Sequence, residues 1–71
     1  MPSGLPQISG KELVKILTKN GFTVISQKGS HVKLRKISPD EVQPIVLIVP
    51  LHKALKRGTL SGILKRAKVE L

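Results

Sequence analysis

The chain has no cysteine, no tryptophan and no tyrosine, and Phe22 is the one phenylalanine in its 71 residues. Without cysteine there is no disulfide to staple a small domain, no thiolate metal site and no cysteine nucleophile. With so few aromatic rings there is no platform on which single-stranded bases could stack, which counts against recognition of the RRM or OB kind. Acids are scarce as well. Four Asp and Glu stand against 13 Lys and Arg, a formal charge of +9, so the natural partner is a polyanion: nucleic acid, an anionic membrane surface or an acidic protein. Two histidines and four scattered acids without an H-x-x-x-H or cysteine spacing predict neither a zinc nor a magnesium site, and no cofactor. No apolar run approaches the ~20 residues that cross a bilayer. Met1-Pro2-Ser3-Gly4-Leu5-Pro6 lacks the apolar stretch of a secretory signal, and a cytoplasmic protein is the expectation.

What remains is an aliphatic, lysine-rich chain of one domain, residues 1–71, which at this size buries about 60% of the surface its unfolded form exposes. Residues 1–8, with two prolines and a glycine, read as an arm. Ser9 and Glu12 have the S-x-x-E spacing of a capping box, followed by Leu13, Ile16 and Leu17 on one helical face, a lysine stripe at Lys11, Lys15 and Lys19, and a stop at Asn20-Gly21. Phe22 to Gln27 is rich in strand-forming residues. A short Lys28-Gly29 connection then favours an antiparallel hairpin into a second strand, Ser30 to Lys36. Ile37 to Glu41 reads as a turn.

Ile45 to Val49 is a third strand, apolar on both faces and bracketed by Pro44 and Pro50. At the edge of the sheet it leaves aliphatic surface for a loop, the N-terminal arm or a partner to cover. An irregular connection, with at most one helical turn ending at Gly58, leads to Thr59 as the cap of a final helix. That helix carries Leu60, Ile63, Leu64 and Ala67 on its inner face. The order α-β-β-β-α predicts an α+β two-layer sandwich: a three-stranded antiparallel meander with both helices on one face and the other face open.

Candidate chemistry centres on Lys28-Gly29-Ser30-His31-Val32-Lys33-Leu34-Arg35. Alternation along the strand sends Val32 and Leu34 to the core and His31, Lys33 and Arg35 to the open face. Imidazole can take and give a proton near neutral pH, and on RNA it could serve the attack of a 2′-hydroxyl on its own phosphodiester while Lys33 and Arg35 hold the phosphate. A lone surface histidine on a solvated basic face has the same pattern. Gly29 and Ser30 suit a hairpin turn as well as a close approach of a sugar-phosphate backbone. His52 could complete an acid/base pair with His31 or simply fix its loop. Lys53, Lys56 and Arg57 precede the last helix, where they could bind phosphate with its N-terminus or be merely solvated.

Several segments together resemble the HicA toxin family: the amphipathic helix Ser9 through Leu17, Asn20-Gly21-Phe22, Gly29-Ser30-His31, Val49-Pro50-Leu51-His52, and Gly58-Thr59-Leu60 with Ile63-Leu64. The resemblance covers residues 9 to about 67. It implies a double-stranded-RNA-binding-domain-like fold and an mRNA interferase, an RNA endonuclease acting as the toxin of a type II pair and neutralised by a HicB antitoxin. His31 holds the position of the family's catalytic histidine. Where members often carry a second histidine next to the first, this chain has Val32. The expected RNA contacts are Lys28, Gly29, Ser30, Lys33, Arg35, His52 and Lys53. Two other functions remain: a non-catalytic module of the same fold that binds double-stranded RNA or another nucleic acid, and a peripheral membrane binder using the basic last helix. The membrane reading is weakened because Leu60, Ile63 and Leu64 are needed in the core.

Overall fold

The structure, a computed structural model, describes residues 7–71; the greater part of the expected arm lies outside the described residues. Helix α1 spans Gly10–Lys19, strands β1, β2 and β3 span Thr23–Lys28, His31–Lys36 and Ile45–Pro50, and helix α2 spans Arg57–Ala67. The strands form an antiparallel meander in the order β1-β2-β3.

Helix α1 begins as its capping box requires. The Ser9 hydroxyl accepts from the Glu12 amide at 3.0 Å and the Glu12 carboxylate accepts from the Ser9 amide at 2.9 Å, so two free backbone donors are satisfied at once. It ends in a Schellman arrangement: the Phe22 amide donates to Leu17 O and the Gly21 amide to Thr18 O. Gly21 takes the left-handed φ of 96°, and buried Phe22 lies on buried Leu17. The left-handed residue is thus Gly21, while Asn20 stays at φ −100°. Strand β1 therefore starts one residue later than expected, at Thr23, because Phe22 is spent on the helix stop and the core.

The core lies on one face of the sheet. Leu13 and Leu17 of α1 and Leu60, Ile63, Leu64 and Ala67 of α2 meet Val32, Leu34, Ile45, Leu47 and Val49 there, each large side chain contributing about 1.5–3 kcal/mol by its burial. Both helices cover the same side, and β2 and β3 alternate as half-buried strands should. Strand β1 does not. All six of its residues are exposed, and a bulge leaves Ile25 without a partner between Val24, opposite Leu34, and Ser26, opposite Lys33. It is a flange beyond the reach of the helices.

The second helix departs from expectation at its start. Lys56 is the N-cap, without a side-chain hydrogen bond, and Gly58 and Thr59 lie inside the first turn; no helical turn precedes them. The cause is Leu55, buried and donating its amide to Ile8 O at 2.8 Å. That anchor ends the extended segment three residues before the glycine, so the chain turns into the helix earlier. At the other end Lys68 adopts φ 59° and completes a second Schellman pair, Val69 to Leu64 O and Lys68 to Lys65 O.

Candidate nucleic-acid interface

The hairpin tip aims the open face. Gly29 has φ 59° while Ser30 stays at negative φ, the pattern of a II′ turn, in which the first central position is left-handed. The Gln27 side-chain amide donates to Gly29 O at 3.1 Å, and the Leu51 amide donates to Ser30 O at 2.6 Å. The second bond ties the turn to the exit of β3, so the start of β2 is held on both sides.

From that start, His31, Lys33 and Arg35 emerge from the uncovered face, all exposed. Across the ladder His31 sits between Lys28 and Pro50, Lys33 between Ser26 and Ile48, and Arg35 between Thr23 and Val46. The face is thus graded, with polar β1 on one side, cationic β2 in the middle and apolar β3 on the other. Among the described residues the salt bridge formed is Lys68 to Glu41, at 3.1 Å, between the end of α2 and the loop joining β2 to β3. The charges of Lys28, Lys33 and Arg35 therefore have no carboxylate partner, which leaves their potential available to a phosphate chain.

His52 and Lys53 are placed elsewhere. They line a hollow of about 600 Å³ on the helix side of the sheet, between the β1 flange and α1, with Ser9, Lys11, Val14, Val24, Gln27, Val32 and Leu51. His52 thus borders this hollow while His31 stands on the uncovered face, and among the described residues no hydrogen bond joins the two imidazoles. The family-like Pro50-Leu51-His52 run has a backbone task instead. His52 O accepts the Gly10 amide at 2.9 Å, and buried Gly10 lies against Pro50 and Leu51 so closely that no side chain fits. Lys11 joins the basic rim of this hollow because α1 and residues 51–53 are docked by that contact; its position in the lysine stripe did not indicate this. Lys56 and Arg57 are exposed at the start of α2.

Among the described residues no three His, Asp or Glu side chains gather, and no helix is long and apolar enough to cross a membrane. The fold and its open face define a small basic α-β-β-β-α domain that presents one exposed imidazole at the head of a cationic strand. The family described as the HicA toxin of bacterial toxin–antitoxin systems matches residues 10–69, and the chain belongs to it. It is therefore a toxin of such a system, whose partner is an antitoxin. No curated protein and no solved structure matches the chain.

Proposed function

We propose that this toxin is a cytoplasmic mRNA endonuclease that cleaves without a metal or cofactor, with His31 as its catalytic residue. The observation that carries the reading is the exposed imidazole on β2 in line with Lys33 and Arg35. His31 takes the proton of a ribose 2′-hydroxyl, or delivers one to the departing 5′-oxygen. The 2′-oxygen forms its bond to phosphorus as the bond from phosphorus to the 5′-oxygen breaks, and water carries the proton that His31 does not. Lys33 and Arg35 neutralise the charge that builds on the phosphate oxygens. Lys28, Gly29 and Ser30 bracket the adjoining backbone, and His52 and Lys53 hold the RNA strand where it leaves over the end of the sheet. A HicB-like antitoxin would silence the toxin by covering the His31 face.

A second reading, a non-catalytic RNA-binding module, is favoured by one observation: strand β2 carries a single imidazole, and no hydrogen bond joins it to His52 among the described residues. One variant separates them. His31→Ala removes an exposed side chain and leaves the fold intact. Its RNA cleavage should fall by about a thousandfold and its growth arrest should vanish, while RNA binding persists. Cleavage at the original rate in a clean preparation removes His31 from the mechanism.

A further inference from the structure

The two edges of the sheet are built differently. Strand β1 carries Thr23, Ser26, Gln27 and Lys28 and is bent by the bulge at Ile25, devices that keep an edge from pairing with other chains. Strand β3 has none of these between its bracketing prolines. Ile45-Val46-Leu47-Ile48-Val49 is uncharged, its register against β2 runs unbroken from His31 opposite Pro50 to Lys36 opposite Ile45, and Ile48 is 55% exposed.

The free edge has a defined hydrogen-bond pattern. Leu51 bonds Ser30 O, so by alternation Val49, Leu47 and Ile45 face β2 while Val46, Ile48 and Pro50 face outward. Pro50 has no N–H to offer. Arg66 of α2 donates to Val46 O at 3.2 Å. Among the described residues nothing meets the Val46 and Ile48 amides or the Ile48 carbonyl. Beside this edge runs a groove of about 460 Å³, walled by Gly58, Thr59, Gly62, Ile63 and Arg66. Gly62 weakens the interior of a helix relative to alanine, yet a Cβ there or at Gly58 would meet nothing within 4 Å. Packing within the chain does not require either glycine; a backbone laid in the groove would.

We propose that an extended, acidic segment of the antitoxin adds a fourth strand to β3 and lies in the groove of Gly58, Gly62 and Arg66. The pattern of alternating free donors and acceptor calls for a peptide backbone, and the apolar walls do not suit a phosphate chain. A second copy is disfavoured by charge, since each brings +9 and its own Arg66 to the contact; an acidic residue opposite Arg66 complements it. The inference rests on the chain's being a toxin with an antitoxin partner and is independent of its cleaving RNA.

The test uses the full chain with the antitoxin of its own system, co-expressed and purified as the complex. Amide exchange at Val46 and Ile48 should be fast in the free chain and slow in the complex, with the outer amides of β1 unchanged. Gly62→Leu, whose Cβ meets nothing within 4 Å in the free chain, and Arg66→Glu should each weaken the complex at least about tenfold, the signature of a truncated or blocked interface hot spot. Full affinity of Gly62→Leu together with unprotected Ile48 overturns the proposal. So does a free chain that dimerises through the same amides, which would give the edge to a second copy. Protection in the free monomer that disappears when residues 1–6 are removed also overturns it, because the chain would then fill its own edge. Neither readout depends on cleavage, so an inactive nuclease reading leaves the result intact.

Discussion

The amide of Gly10 donates to the carbonyl of His52 at 2.9 Å, joining the first residue of α1 to the loop that leaves β3. A Cβ at Gly10 would press on Pro50 O and lie 2.8 Å from Leu51 Cα, backbone atoms that cannot step aside as a side chain can. Gly10→Ala should therefore destabilise the domain by about 3 kcal/mol, measured as a lower urea midpoint. A variant with the stability of the parent would mean that α1 docks less tightly than described.

The cap of the same helix makes stability depend on pH. Glu12 is held below the ordinary glutamate value by the Ser9 amide first and the Ser9 hydroxyl second. Because the folded value is the lower one, the carboxylate stabilises the fold fully above the ordinary glutamate pKa, and this is lost as pH falls through the depressed folded value. The stability gap between the parent and Glu12→Gln should be constant at neutral pH and close in acid. Ser9→Ala should cost about 1 kcal/mol at pH 7. A gap that stays open at the acid end would assign the loss to packing.

Lys68 holds a left-handed conformation at the end of α2, φ 59°. A side chain there costs about 1 kcal/mol that glycine avoids. Its 3.1 Å bridge to Glu41 is largely exposed on the lysine side, 65%, and such pairs contribute little. Lys68→Gly should raise the melting temperature by a few degrees, ~1 kcal/mol in a domain of this size. A lower melting temperature would show that the bridge outweighs the strain.

RNA binding should report the open face through salt. Lys33→Ala and Arg35→Ala should each weaken binding of a single-stranded RNA and reduce the slope of log K against log salt by about 0.7. Lys19→Ala, at the far end of α1, should leave the slope unchanged. An equal loss from all three would mean that binding follows net charge alone.

Much of this architecture is carried by local pattern. The Ser9–Glu12 spacing, the apolar face of α1, the alternation of β2 and the proline-bracketed β3 each state their own structure, because caps, periodicity and turn chemistry act within a few residues. The start of α2 was not legible in this way. Gly58 resembles punctuation and Thr59 a cap, but the position of the helix is set by Leu55 reaching Ile8, a contact 47 residues apart in sequence. The bulge at Ile25 and the left-handed Lys68 likewise follow from pairing and packing with distant partners.

The sequence by itself determined which residues face solvent on β2, and hence that His31, Lys33 and Arg35 form one basic row. Strand geometry admits no other arrangement once Val32 and Leu34 enter the core. Only the tertiary structure decided what stands beside that row. Docking of Gly10 on the Pro50–His52 turn sets His52 at the rim of the hollow beside α1, and the placement of α2 leaves the β3 edge open next to Gly62. Both are contacts between segments far apart in the chain, whose register no local pattern encodes.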